Sequence, residues 1–290
     1  MGHLNGARTL PKRLKRLKET LIAELPVFPN NKETKIDLNR KSLPNVLVDY
    51  LSWRSRLIGI RPRTVFRREL VAQQLMDQSL QAGADSFLDA IERGDDVSSH
   101  HSKSALKKGY TPQSRLEAEK RWADKDKALN LLGIHHFHIG LGSTTKGLSE
   151  RSNELIFARV GREEFHVLGV FNHDIFDDDP SVSRSEYGRL RQAQHEMDDQ
   201  DAVPGLVRFD PGFGGAGIAN SGHAVAIRFE AARIVKKLWQ YEELLADQNE
   251  MAKLGFDPHR SRPYWRFNHM DLELVDDVTK KYGVVREGPN

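Results

Sequence analysis

The chain has 290 residues and a mass of 33.0 kDa, enough for one large domain or two small ones with a real hydrophobic core. Its hydrophobic fraction of 38% and charged fraction of 29% exclude an intrinsically disordered chain. No apolar run approaches the roughly 18 residues that a transmembrane helix needs. No apolar stretch follows the basic N-terminus, as it would in a secretory signal. The absence of Cys excludes disulfides, thiolate metal ligands and a Cys nucleophile. We therefore expect a cytoplasmic protein that does not enter a membrane.

The charges are distributed unevenly along the chain. Residues 1–70 hold 16 Lys and Arg against 6 Asp and Glu, and the remainder holds 28 against 35, so the two parts carry +10 and −7. A basic segment on an acidic protein has two interpretations. It binds a polyanion, most commonly nucleic acid, or it complements the acidic body of its own chain. The basic side chains that would form a binding surface are Lys12, Lys15, Arg16, Arg54, Arg56, Arg63, Arg67 and Arg68.

Helical periodicity dominates the first 110 residues. Apolar residues at helical spacing predict helices over 11–25, 45–58 and 63–93. The polar stretches 31–43 and 94–110 are typical of loops.

The pattern changes after residue 130. Three short runs of apolar and β-branched residues predict strands over 134–139, 154–160 and 165–171, and residues 161–164 predict a tight hairpin between the last two. The predicted elements that follow are a helix over 184–200, a Gly-rich loop over 203–220, a helix from an N-cap at Ser221 to about Gln248, and a short final helix over 271–282.

These elements predict an α+β fold in which a small antiparallel sheet is flanked by N-terminal and C-terminal helices. We divide the chain into a basic helical region at 1–110, an antiparallel-sheet core at 111–200, and a Gly-rich loop with a C-terminal helical region at 201–290.

Histidines concentrate on the predicted strands. Of the 12 His in the chain, five lie between residues 134 and 173: His135, His136, His138, His166 and His173. Side chains alternate along a strand, so His136 and His138 share one face while His135 shares the other with Phe137. A sheet face that carries several ionisable rings is costly unless the rings are hydrogen-bonded or line an open cleft. The cluster is therefore the candidate functional site.

Two chemistries fit this cluster. His136 and His138 could bind a metal ion, with His173 or Asp174 as a third ligand, in a metal-dependent hydrolase. The other chemistry needs neither metal nor cofactor, because RNA supplies its own nucleophile, the 2′-hydroxyl. Histidine can serve as base and as acid, and Arg can hold the phosphate. The candidate catalytic residues for this reaction are His136, His138, Arg159 and His173.

The stretch GIHHFHIG, a loop with Arg151, and the stretch NELIFARVGREEFHVLGVFNHDIF together resemble the sheet of RelE/ParE-type toxins. In that family a His-x-Leu-x-Gly run precedes an Arg-led hydrophobic strand, a tight turn, and a strand that ends in His or Arg before an aromatic residue. The matching positions are His136, His138, Arg151, the strand from Leu155 to Arg159, His173 and Phe176. The resemblance covers residues 131–176. It implies a metal-independent ribonuclease that acts on RNA, with the ribosome or an antitoxin-like protein as further partners, and it places Arg151 among the RNA-binding residues.

A different class of function is also open, a nucleic-acid- or protein-binding module without catalysis. The enzyme requires that at least two of His136, His138, Arg159 and His173 converge on an open cleft. The binding module requires only that the basic side chains of the N-terminal region form one surface.

Overall fold

A computed structural model describes residues 9–67, 78–112, 124–140, 153–176, 185–200, 217–219 and 221–290. Helices and two separate β-sheets make up these residues, and a small antiparallel arrangement of strands is flanked by helices on both sides in sequence. The predicted α+β class is confirmed. None of the helices within these ranges is long and apolar enough to span a membrane.

The described helices and strands have the following bounds. The helices are α1 (Lys12–Glu24), α2 (Lys32–Arg40), α3 (Leu43–Arg54), α4 (Gln78–Arg93), α5 (Lys103–Lys107), α6 (Lys127–Leu132), α7 (Glu186–Gln200), α8 (Val225–Leu244) and α9 (Gln248–Lys253). The strands are β1 (Thr64–Arg67), β2 (His135–His138), β3 (Glu154–Val160), β4 (Glu164–Asn172), β5 (Tyr264–Asn268), β6 (Asp271–Asp276) and β7 (Lys281–Arg286). Short 3₁₀ turns occupy Ser98–His100 and His173–Phe176.

The larger sheet has the strand order β1-β4-β3-β2. Strands β2, β3 and β4 pair antiparallel, which confirms the three predicted strands. Strand β1 adds to β4 in parallel and makes the sheet mixed. The helix predicted over 63–93 is therefore wrong at Thr64–Arg67, where Thr64, Val65 and Phe66 are all residue types that favour extended backbone.

Helix α4 covers one face of the larger sheet. Phe137 and Phe165 on the sheet pack against Phe87, and Ile156 and Ile91 belong to the same buried cluster. This face is apolar and closed.

Helix α7 covers the opposite face. Leu190 of α7 packs in one buried cluster with Leu155, Phe157 and Phe171 of the sheet. The ring of His136 stacks on Phe157, with ring centroids 5.7 Å apart, so His136 also lies on the α7 face. The predicted alternation of β2 is thus confirmed.

The smaller sheet is antiparallel, with the order β5-β6-β7. It occupies the residues predicted as a final helix over 271–282, and that prediction is wrong. The sequence of β6 has a period of two, because Leu272 and Leu274 enter the core while Glu273 between them forms an ion pair with Arg266 on the other face.

A carboxylate forms the turn between β6 and β7. Asp276 accepts hydrogen bonds from the backbone N–H of Val278 at 3.2 Å and from the hydroxyl of Thr279 at 2.5 Å. Such an Asx turn favours strand reversal over a continued helix.

The largest hydrophobic core draws on both ends of the chain. Leu17 of α1, Leu47 of α3 and Ile234 of α8 pack with Trp265 and Leu272 of the smaller sheet. The N-terminal and C-terminal regions therefore share one core, and β1 from the N-terminal region belongs to the larger sheet.

Residues 31–43 do not form the predicted loop, because α2 begins at Lys32. The side chain of Asn31 accepts the backbone N–H of Thr34 at 2.9 Å and caps this helix. Leu38 is buried and fixes the helix to the core. A single apolar anchor and a polar cap are sufficient here, although the segment lacks an apolar stripe.

The predicted long C-terminal helix is confirmed over Val225–Leu244, but its start is not. The N-cap residue is Ala224, without a side-chain hydrogen bond, and not Ser221. The Ser221 hydroxyl instead lies 3.1 Å from Nδ1 of His223.

An ion pair joins the two sheets. Arg162, in the turn between β3 and β4, donates to both carboxylate oxygens of Asp271 in β6, at 2.6 and 3.1 Å. The backbone N–H of Gly288 donates to the same carboxylate at 2.7 Å. Burial opposes the charge of Asp271, but these donors hold its pKa below the usual value.

The packing of the larger sheet predicts that a Phe→Ala substitution lowers the free energy of unfolding far more at a buried position than at an exposed one. Phe137 is fully buried, whereas Phe229 on α8 is 63% exposed. Phe137→Ala should lower the free energy of unfolding by about 3–5 kcal/mol through lost burial and a cavity, and Phe229→Ala by less than about 0.5 kcal/mol. Urea unfolding followed by circular dichroism measures both. Equal effects of the two substitutions would contradict this packing.

Candidate functional site

The end of helix α6 positions strand β2. Gly133 follows the helix in a left-handed conformation, with φ 69°, and its N–H donates to the carbonyl of Leu129 at 2.9 Å. Glycine adopts this conformation without steric cost, so the chain turns directly from α6 into β2. The spacing between the start of α6 and the histidines of β2 is thereby fixed.

The residue that caps α6 also contacts the site. Oδ1 of Asp126 accepts the N–H of Leu129 at 3.0 Å, and Oδ2 of the same carboxylate lies 3.5 Å from Nδ1 of His136. The imidazole of His136 is therefore held between this carboxylate and the ring of Phe157.

His138 and His173 lie next to each other at the end of the sheet. Their ring centroids are 5.4 Å apart. His138 is buried, whereas His173 is exposed in the turn after β4, where its backbone N–H donates to the carbonyl of Asn153 at 3.1 Å. A ring nitrogen of His100 donates to the carbonyl of His138 at 2.8 Å. The structure thus brings together two of the four predicted catalytic residues, His138 and His173, while His136 lies two residues from His138 on the same face.

Arg159, the fourth predicted residue, lies at the other end of the same face. It follows Leu155, the partner of His138, by four residues on β3, or about 14 Å at 3.4 Å per residue. Its guanidinium donates to Asp198 of α7 at 2.7 Å. Arg159 and the His138–His173 pair do not converge.

A different arginine lies at the His138–His173 end. The guanidinium of Arg189 on α7 lies 5.4 Å from the ring centroid of Phe171 and pairs with Glu186. The carboxylate of Glu186 accepts the backbone N–H of Asn172, the residue before His173, at 3.4 Å. Sequence reasoning missed Arg189, because nothing local marks which residue of α7 faces the end of β4.

His135 and His101 have structural contacts on the α4 side of the sheet. A ring nitrogen of His135 donates to the carbonyl of Ser55 at 2.8 Å, and Nε2 of His101 accepts the N–H of Ile58 at 3.3 Å. Both rings are buried. Burial lowers the pKa of His135 to about 4 and that of His101 to about 3, so both rings are neutral at physiological pH.

A third histidine binds the same backbone segment. Nε2 of His269, in the turn between β5 and β6, donates to the carbonyl of Leu57 at 3.1 Å. Burial lowers its pKa to about 3. Three neutral imidazoles from three distant elements therefore bind the backbone of residues 55–58, which leads from α3 towards β1.

Two of the basic residues predicted for a binding surface lie inside the protein. Arg56 is buried and donates to the carbonyls of Ser104 and Lys108. Arg63 is buried and donates to the carbonyl of Gly161 at 3.0 Å. Their placement on an RNA-binding surface is corrected, since both side chains are buried and donate to backbone carbonyls of the protein.

Charged groups surround Arg56. Burial lowers its pKa, while Asp124 and Asp126 favour its charged form. Nearby, Nε2 of His223 lies 3.2 Å from Oδ1 of the buried Asp49. Burial lowers the pKa of His223, and the hydrogen bond with Asp49 opposes that shift.

The remaining predicted binding residues differ in exposure. Lys12, Lys15 and Arg16 are exposed on α1. Arg54 is half-buried, and its Nε donates to the carbonyl of His269 at 3.3 Å. Arg67 forms an ion pair with Asp85 of α4. The candidates that fall outside the described residues are Arg68, Arg151 and the Gly-rich loop up to residue 216.

The alternative of a metal site at the His cluster has no support in the described ranges. Within them, no group of three or more His, Asp or Glu side chains is arranged to hold a metal ion.

No protein-family model, curated protein or solved structure matches the chain. The similarity to RelE/ParE-type toxins therefore rests on residues 131–176 alone.

The burial of His101, His135 and His269 in their neutral form predicts that acid destabilises the folded chain. Their pKa values of about 3 to 4 in the folded chain lie below the usual 6.5, so the unfolded chain binds more protons as the pH falls below 6.5. The free energy of unfolding should fall by about 1.4 kcal/mol per pH unit for each ring, from pH 6.5 down to about 4. Urea unfolding at a series of pH values measures the slope.

A variant and a control separate this effect from general acid sensitivity. His101→Gln keeps a side-chain acceptor for the backbone N–H of Ile58. It should reduce the slope of the free energy of unfolding against pH by the contribution of one histidine. His259→Gln changes an exposed side chain and should leave the slope intact. A stability that is constant between pH 7 and 5 would refute neutral burial of these rings.

Proposed function

We propose that the chain is a metal-independent, toxin-like endoribonuclease whose site lies on the α7 face of the larger sheet, at His138 and His173. The observation that carries the proposal is the 5.4 Å separation of these two rings, one buried and one exposed. An acid and a base at this distance can act on neighbouring oxygens of one phosphodiester.

The reaction needs two proton transfers. One neutral imidazole removes the proton of the 2′-hydroxyl, and the resulting oxygen forms a bond to phosphorus. The other imidazole, protonated, gives its proton to the 5′-oxygen as the bond from phosphorus to that oxygen breaks. The products are a 2′,3′-cyclic phosphate and a 5′-hydroxyl, without water, metal or oxidant in this step.

The neighbouring side chains have supporting roles in this proposal. His136 lies on the same face of β2 as His138, two residues or about 6.8 Å away along the strand. The carboxylate of Asp126, 3.5 Å from Nδ1 of His136, orients this ring beside the phosphate. Arg189 supplies the guanidinium that contacts phosphate oxygens, the role that the sequence assigned to Arg159.

RNA is the substrate of this reaction, because its 2′-hydroxyl is the nucleophile. The ribosome and an antitoxin-like protein are partners that only the family resemblance implies. The absence of Cys is compatible with the reducing cytoplasm, the compartment in which we place the activity.

Cleavage of a short single-stranded RNA tests the proposal. His138→Ala and His173→Ala should each lower the rate about 10²–10⁴-fold, because each removes a proton-transfer group. A chelator should not change the wild-type rate. Arg189→Ala should reduce the rate more than Arg159→Ala, since Arg159 lies at the far end of the face.

The controls address folding. His173 is exposed, so His173→Ala should leave the free energy of unfolding within about 0.5 kcal/mol of wild type. His259→Ala provides an exposed histidine far from β2 in sequence and should keep full activity. Full activity of both His138→Ala and His173→Ala would refute the catalytic assignment, and a rate abolished by chelator would favour a metal-dependent hydrolase.

A second candidate function is RNA binding without cleavage. The observation that favours it is the exposure of Lys12, Lys15 and Arg16, which lie three and four residues apart and therefore on one face of α1. Wild-type protein that binds RNA but cleaves none would select this function.

The α1 surface predicts salt-dependent binding. Each phosphate contact to single-stranded nucleic acid contributes about 0.7 to the slope of log affinity against log salt. Replacing Lys12, Lys15 and Arg16 together by Ala should reduce the slope by about 2. The matched triple variant of Arg233, Lys236 and Lys237, exposed on α8, should leave it unchanged. Equal slopes for both triple variants would exclude α1 from the RNA contact.

A further inference from the structure

The smaller sheet has one face in the core, and its other face is exposed at the edge strand β7, whereas Glu273 and Val275 of the central strand are buried. Trp265, Phe267, Leu272 and Leu274 point into the largest core. The residues between them form the opposite surface, which we call the outer sheet face: Tyr264, Arg266, Glu273, Val275, Tyr282 and Val284.

Aromatic and apolar side chains are exposed on the outer sheet face. Tyr282 is 73% exposed and Val284 45%, and Val278 in the adjoining turn is 54% exposed. Tyr264 and Tyr282 are the direct partners of Val275 on its two sides, so their strands are about 9.6 Å apart. This exposed aromatic surface does not contribute to the core, which favours a role in binding.

Basic side chains adjoin the aromatic ones. The guanidinium of Arg16 lies 4.3 Å from the ring centroid of Tyr264. This contact connects the outer sheet face to the face of α1 that carries Lys12 and Lys15. Arg266 is about half exposed, and Lys280 is exposed in the turn before β7.

Few acidic groups offset these charges. Glu273 is buried and forms an ion pair with Arg266. Asp277 hydrogen-bonds with Tyr264, and Glu19 is exposed on α1. The surface formed by α1 and the outer sheet face therefore keeps an excess of positive charge.

We propose that the outer sheet face, together with the exposed side of α1, binds single-stranded nucleic acid. One base stacks on Tyr282 and another on the Tyr264–Arg16 pair, while Lys12 and Lys15 contact phosphates. Stacking on these rings requires unpaired bases, which selects single strands over duplexes. Charge favours this ligand over a second copy of the chain, whose own Lys12, Lys15 and Arg16 would be repelled.

The inference rests on the proposed function only in taking RNA as the preferred strand. Its test uses RNA whose 2′-hydroxyls are replaced by fluorine, because this RNA lacks the nucleophile and cannot be cleaved by the proposed reaction. Binding is measured by fluorescence anisotropy on the full chain with a 12-nucleotide single strand, DNA of the same sequence, and the RNA duplex.

Tyr282→Ala should weaken single-strand binding about 5- to 150-fold, the loss of one stacked base. Tyr282→Phe keeps the ring and should bind as wild type does. The weaker duplex binding should be the same in all three proteins. Phe229→Ala removes an exposed ring elsewhere and should not change the affinity.

Three results would overturn the inference. One is single-strand affinity unchanged by Tyr282→Ala, and another is equal loss for the single strand and the duplex. The third is a wild-type dimer in sedimentation that Tyr282→Ala dissociates, which would assign the face to a second copy. Failure of RNA cleavage leaves these readouts unaffected, so the ribonuclease proposal and the binding-face proposal can fail separately.

Discussion

The structure depends on three histidines that bind the backbone of residues 55–58 in their neutral form. His101 accepts an N–H, and His135 and His269 donate to carbonyls, so each contact uses the ring atom that a neutral tautomer provides. Protonation would turn the acceptor of His101 into a donor facing another donor. This segment leads from α3, in the core under the smaller sheet, towards β1 in the larger sheet. The three contacts thereby fix the position of one sheet relative to the other, and Arg162 with Asp271 adds an ionic link at the sheets themselves.

Strand β2 carries both a structural histidine and candidate catalytic histidines, and it directs them to opposite faces of the larger sheet. Alternation along β2 directs His135 to the α4 side, where burial keeps it neutral, and directs His136 and His138 to the α7 side. On the α7 side, His136 lies beside the carboxylate that also caps α6, and His138 lies beside the imidazole of His173 in the exposed turn after β4. Local signals in the sequence, an Asp N-cap and a Gly that ends α6, set where the strand begins and therefore which histidine meets Asp126. The proposed chemistry follows from this arrangement.

Strong local patterns predicted much of the fold and part of the candidate site. The β2–β4 strands and the shared face of His136 and His138 followed from the period of two. The helices α1, α3 and α8 followed from apolar stripes. The position of Arg159 could not be predicted, because it depends on strand register and on a register shift at Phe157 and Ala158. The burial of Arg56 depends on carbonyls about 50 residues away along the chain, which no local pattern encodes. Strand β6 shows a readable period of two, but its short length allowed the helical interpretation.

The chemical ends of the RNA products test the central claim most directly. Attack by the 2′-hydroxyl through the His138–His173 pair leaves a 2′,3′-cyclic phosphate on one fragment and a 5′-hydroxyl on the other. We expect mass spectrometry of RNA digested in the presence of a chelator to find these ends in the wild-type reaction and to find none with RNA that carries 2′-fluorine. Fragments with 3′-hydroxyl and 5′-phosphate ends, or cleavage of the 2′-fluoro RNA, would contradict the account, because both require a nucleophile other than the 2′-hydroxyl.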